Sequence, residues 1–168
     1  TRQITVLRNR IDRGWTASIN QGIQEGNNPY VIFLNNDVEF AQDWLSGMIS
    51  FLHSHPRIAA VGPLNSNPED WQCIDRVRRE VVPQIPLFLT DDLHERNRIL
   101  RYHFGGAGIL IERRLGFFCA AVRRRALERI GLLDDGPAEG AGEAGFDRRL
   151  RKAGYVQGLA LDTYMIRP

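Results

Sequence analysis

The sequence is short of lysine, of cysteine and of long hydrophobic runs, and each shortage excludes something. Only Lys152 is lysine among the 22 basic residues of the 168-residue chain, and with 20 acids the formal charge is +2. A balance that close to neutral gives no strong single-sign field to draw in a polyanion. Cys73 and Cys119 are the only cysteines; without further partners at ligand spacing they exclude a cysteine-built metal site and read as cytosolic thiols. No uncharged apolar stretch approaches the roughly 18 residues a membrane span needs. The opening "TRQITVLRNR" lacks the apolar core of a secretion signal. It begins at Thr1 rather than Met, as a processed chain or a piece of a longer one would.

What is present fits one globular α/β domain over residues 1–168, with 43% hydrophobic and 25% charged residues. Residues 1–63 alternate in type. "QITVLRN" alternates as a half-buried strand does, "TASINQGIQEG" reads as a short helix, "YVIFLNN" is too continuously apolar for an exposed strand, "DWLSGMISFLHSHP" carries helical spacing, and "IAAVGP" is a further strand. Strand, helix, strand, helix, strand predicts a mainly parallel central sheet flanked by helices. Residues 64–112 read as an insertion of loops with one or two helices, one of them within "DDLHERNRILRYHF". Residues 113–168 return to order as a strand and helix in "RLGFFCAAVRRRALERIGLLDD", a helix in "GEAGFDRRLRKAGY" and a last strand in "YVQGLALDTYMI".

In open parallel sheets ligands sit beyond the carboxyl ends of the strands. Asn35, Asn36 and Asp37 hold that place after "YVIFL". One carboxylate is the usual protein contribution to Mg²⁺ or Mn²⁺ when phosphate oxygens and water complete the shell. An ordinary Asx-type turn with a solvated Asp37 accounts for the same residues. Late in the chain, Glu143 and Asp147 stand four apart on one helix flank, beside Phe146. Two like charges there can push one carboxyl toward base chemistry, or Arg151 can relieve them as a surface salt bridge.

The arginines gather at 113–114, 123–125 and 148–151. Acids at Glu128, Asp134, Asp135, Glu139, Glu143 and Asp147 interrupt them, so a solvated helix face is favoured over nucleic-acid binding, which would show a steep loss of affinity with salt. A phosphate-bearing ligand or an anionic membrane surface is compatible with the same cluster. Trp15 reads as packing over the sheet edge, and of Phe117 and Phe118 one is expected in the core. The four histidines share no ligand spacing, and "FGGAGILI" reads as a turn beside a strand.

Gly14, Trp15, Ala17, Asn20 and Gly22 ahead of the strand, "FLNND" at its end, the Gly-Leu-Leu-Asp turn and the "RKAGY" helix end together resemble the family 2 glycosyltransferases. These are inverting enzymes of the Rossmann-like GT-A fold that use nucleotide sugars. The resemblance spans residues 14–155. It implies a nucleoside diphosphate sugar as donor and a glycan, polysaccharide or lipid-linked acceptor. Asp37 would bind the metal on the donor diphosphate, with Asn20, Asn35 and Asn36 near the nucleotide and Glu143, or failing it Asp147, as base. It also implies a cytoplasmic setting, with peripheral membrane association at the inner face and a role in cell-envelope polysaccharide synthesis.

The chain departs from the family pattern in three places. Ala144 follows Glu143 where the family has a second acid, and Arg167 stands where many relatives place a histidine. The chain starts at what resembles the third strand, so the donor-binding half over 1–63 lacks the family's first strand, helix and second strand. A GT-A-like scaffold or partner-binding module without donor binding is the rival expectation.

Overall fold

The computed structural model describes residues 4–134 and 142–167. Its first helix, α1 (Gly14–Glu25), leads through a short turn into β1 (Tyr30–Leu34). A two-residue strand β2 (Glu39–Phe40) precedes α2 (Trp44–Ser54) and β3 (Ile58–Asn65). The expected insertion holds α3 (Ile74–Glu80), α4 (Leu93–Phe104) and β4 (Gly108–Ile111). Then come β5 (Cys119–Arg123), α5 (Arg124–Ile130), α6 (Gly142–Lys152) and β6 (Val156–Ile166).

The strands form one six-stranded sheet in the order β1-β5-β3-β6-β2, with β4 also on β6. Directions differ from the expected mainly parallel arrangement. β3 and β6 are parallel, but β5 lies antiparallel between β1 and β3, and β2 and β4 are antiparallel to β6. The reversal has a topological cause: the chain returns from 64–112 at the rim where β1 ends, pairing Leu34 with Cys119, and can only run back from there. β1, β3 and β6 still share one direction, so their carboxyl ends meet at that rim.

Period-two alternation divides the core. Cys119 and Ala121 of β5 join Met48, Phe51 and Leu52 of α2 on one face, while Ala120 and Val122 join a cluster fed by α1 and α3 to α6 on the other. The segment 64–112 contributes Ile74, Val77, Leu93 and Leu100 to this second cluster. β6 is buried along nearly its whole length because β3 flanks one edge while β4 and β2 share the other. Between those two, β6 bulges at 161–163, where the buried Asp162 accepts the Gly106 N–H at 2.7 Å.

The expected strand in "QITVLRN" is absent: residues 4–9 form no ladder, and Ile4 is 85% and Val6 71% exposed. Alternation marks a surface able to pair, but a strand exists only through a partner, and among the described residues β1 pairs with β5 alone. The "AGY" ending behaves as the sequence suggests. Gly154 adopts φ +79°, with Gly154 N–H on Arg151 O and Tyr155 N–H on Leu150 O, a Schellman closure that turns α6 into β6.

Candidate active site

The rim where β1, β3 and β6 end gathers most of the residues singled out from sequence. β1 releases the chain at Asn35, whose N–H still bonds Phe118 O at 2.8 Å. Asn36 and Asp37 form the turn that follows, and both are exposed. Among the described residues Asp37 takes no side-chain hydrogen bond or ion pair. An exposed, uncommitted carboxylate at a strand end suits a hard divalent cation that draws its other oxygens from a diphosphate and water. Among the described residues no group of three or more histidine, cysteine, aspartate or glutamate side chains could form an all-protein metal site.

Glu143, in the first turn of α6, reaches the same rim. Its carboxylate accepts the Phe117 N–H at 3.3 Å, one residue before the Phe118 carbonyl that holds Asn35. Burial pushes the Glu143 carboxyl above the usual glutamate range, and Asp70 adds to the rise. The Phe117 N–H and the charges of Arg114 and Arg167 pull the other way without cancelling it. A base with a raised affinity for protons is what deprotonation of a hydroxyl requires.

Asp147 is placed differently. Arg151 grips its carboxylate through Nε at 3.0 Å and spans on to Glu112 O, so this acid joins α6 to the end of β4. Asn20 also has a visible structural task. Its Nδ2 donates to Leu133 O at 2.7 Å and its Oδ1 accepts the Leu133 N–H at 3.0 Å, tying α1 to the turn after α5. Both ends of the Asn20 amide are therefore engaged by backbone, each with one further hydrogen-bonding position.

The aromatic pair faces inward, with Phe117 and Phe118 both buried on opposite faces of the sheet, so neither offers a stacking surface. Trp15 tilts against Phe117 at 6.4 Å while staying 41% exposed. The four histidines lie on the surface.

Residues read only as a loop supply the rest of the rim. In "NSNPEDWQ" three successive side chains cap backbone N–H groups two residues on: Asn65 to Asn67, Asn67 to Glu69, and Asp70 to Gln72, at 2.9 to 3.0 Å. Asp70 also receives Arg167 Nη1 at 2.5 Å and Asn65 Nδ2 at 3.2 Å. Arg167 in turn lies over the Phe118 ring at 4.8 Å. The density of Asn, Asp and Pro is a turn signal in the sequence, but the pairing of Asp70 with a residue 97 positions away is not written locally.

The late arginines are mostly spent on backbone. Arg123, 8% exposed, donates to the carbonyls of Leu52, His55 and Ile58, Arg124 to those of Asn28 and Ile23, and Arg125 to that of Pro56. Arg149 pairs with Asp134. Guanidinium groups engaged in this way have fewer donors left for phosphates, although among the described residues Arg125 commits a single nitrogen and Arg149 Nε has no partner. Asp135 and Glu139, expected among the interrupting acids, lie outside the described residues. Among the described residues no helix is long and apolar enough to cross a membrane.

Comparison with known proteins adds two findings. A family model described as glycosyl transferase family 2 matches residues 1–131, a span holding Asn20 and Asn35 to Asp37 and ending before Glu143. Among solved structures the chain is similar in fold to the mannosyltransferase PcManGT from Pyrobaculum calidifontis, determined in complex with GDP-Man and Mn²⁺. The TM-score is 0.65 at 18% identity, over 97% of this chain and 39% of that one. The chain thus spans about two fifths of that protein's length. None of the curated proteins matches it by sequence.

Proposed function

The chain belongs to glycosyl transferase family 2, and from that premise we propose that its rim transfers a sugar from a nucleoside diphosphate sugar to an acceptor hydroxyl with inversion. The observation that carries this is the meeting of Asn35 and Glu143 on neighbouring residues, Phe118 and Phe117, at the ends of the strands. An uncommitted carboxylate turn and a half-buried carboxylate of raised proton affinity thus flank one segment. In the transfer the acceptor oxygen attacks the anomeric carbon, its proton passes to Glu143, and the bond to the diphosphate breaks with its electron pair leaving on the diphosphate. Attack from the face opposite the leaving group inverts the anomeric centre.

Asp37 would hold Mg²⁺ or Mn²⁺ on the donor diphosphate, and the ion when bound would neutralise charge on the departing group. Asn35 and Asn36 lie beside it in the same turn. The bound GDP-Man and Mn²⁺ of the mannosyltransferase with the same fold support this donor chemistry. Asp147 is left to Arg151 as a helix brace.

The test is calorimetric titration of the protein with UDP, GDP and dTDP, each with and without Mn²⁺. Metal-dependent binding of one of them, lost in Asp37→Ala without change in the folded spectrum, is the expected result. Binding that ignores Asp37 would remove the metal role, and no binding of any nucleotide by folded protein would favour the scaffold alternative.

A further inference from the structure

Beside the proposed base lies a pocket of about 390 Å³ lined by Asn67, Glu69, Asp70, Trp71, Arg76 and Arg167. We propose that this pocket is the acceptor subsite and that it takes a neutral sugar ring at the end of a glycan, an assignment that rests on the transferase reading above.

Position is the first argument. The Asp70 carboxylate stands 3.6 Å from where a Cβ on Gly116 would lie, and Gly116 precedes the Phe117 whose N–H holds Glu143. Trp71 is anchored to the same loop, its indole N–H donating to Arg114 O at 2.8 Å. Among the described residues the charges of Asp70, Arg114 and Arg167 act on Glu143. This wall therefore adjoins the carboxylate that an acceptor hydroxyl would meet.

Charge decides the class of ligand. Arg167 is held by Asp70 at 2.5 Å and Arg76 by Glu80 at 3.1 Å, while Glu69 has no ion-pair partner among the described residues. A lipid phosphate or a uronate would therefore meet the uncompensated Glu69 carboxylate, with Arg167 neutralised by Asp70 and Arg76 sharing Glu80 with Arg113. A neutral polyhydroxyl ring suits the lining better. Its C–H face can lie on the half-buried indole, and its hydroxyls can donate to Glu69 and accept from Asn67 Nδ2 and the free Arg76 nitrogens. The indole is prevented from turning by its bond to Arg114 and by the Arg113 guanidinium 6.0 Å from its ring centre, so little rotamer freedom is lost when a sugar stacks.

The experiment titrates the ¹⁵N-labelled protein, nucleotide-saturated and nucleotide-free, with a panel of neutral oligosaccharides, a uronate-containing oligosaccharide and a short-chain isoprenyl phosphate, following the Trp71 indole N–H signal. The expected result is a shift of that signal by a neutral oligosaccharide in the wild type, and an affinity for it, read by calorimetry, that falls at least about tenfold in Trp71→Ala, roughly 1.4 kcal/mol, with nucleotide binding unchanged. Glu69→Lys, at an exposed position, keeps the pocket testable if Trp71→Ala unfolds: it should weaken the neutral sugar and strengthen the anionic ligands. Nucleotide binding with no neutral sugar bound, or preference of the wild type for the uronate or the isoprenyl phosphate, would overturn the subsite while leaving the transferase reading standing. Absence of both nucleotide and sugar binding would remove both.

Discussion

Glu143 is asked to be half-buried and charged at once, and that conflict has a measurable consequence. Its carboxyl is raised mainly by desolvation, so the folded state holds a proton more tightly than the unfolded chain does. Stability contributed by this group is therefore complete below the ordinary glutamate pKa of about 4.3 and is lost as pH rises through the raised folded value. Glu143→Gln removes the charge while its amide oxygen can still accept the Phe117 N–H. The variant should be more stable than wild type in urea at pH 7, with the difference vanishing at pH values below the glutamate range. Transfer by the wild type should likewise gain its base only above the usual carboxylate range, so its acidic limb lies higher than that of an exposed glutamate. Asn20 answers a different demand. Asn20→Ala strips two hydrogen bonds from the Leu133 backbone and should cost about 1 to 3 kcal/mol in denaturant melts. If Asn20 instead bound the nucleotide, the variant would lose donor affinity at unchanged stability.

At the scale of elements, the arginine run 123–125 does work that composition alone misassigns. Arg123 leaves the end of β5, crosses the sheet and collects the last carbonyls of α2 together with the first of β3. Helix ends expose carbonyls that something must satisfy, and here one buried guanidinium serves three. Arg123→Met keeps much of the volume but removes the charged donor from all three, Leu52 O and His55 O keeping the His55 and Ile58 N–H groups, and should cost roughly 1.5 to 3 kcal/mol by thermal or urea unfolding, the range for hydrogen bonds to a charged group. A loss below about 0.5 kcal/mol would show that water replaces it. Elements with a strong period were legible in the sequence. α2 and α6 display their stripes of Leu52 and Met48 or Phe146 and Leu150, and β1 and β6 their continuous apolar runs. What escaped was set by partners distant in sequence. β5 runs antiparallel because of where the excursion ends, and residues 4–9 have the alternation of a strand without a neighbour to pair with. The same division holds at the site. Asp37 and Glu143 stand out as carboxylates next to strand and helix signals. Asp70 and Trp71 sit in a run whose only local message is a turn, and their relation to Arg167 and Arg114 exists only once β3, β5 and β6 are assembled.

For the whole molecule, the sheet acts as a plate that brings three strand ends and the start of α6 to a single rim. β1, β3 and β6 share a direction, β5 begins where they end, and α6 enters with Glu143 foremost. The opposite rim holds the Arg123 anchor and the ends of α2, so binding chemistry and structural anchoring occupy different edges. Among the described residues β1 has no strand on its far edge. The most direct measurement is transfer from a nucleotide sugar by wild type and Glu143→Gln, with donor binding titrated on both. Nucleotide affinity should agree within about twofold, and turnover should fall by about 10² to 10⁴, the range for loss of a general base. Turnover retained by Glu143→Gln, or donor affinity lost in step with it, would contradict the assignment of Glu143 as the base.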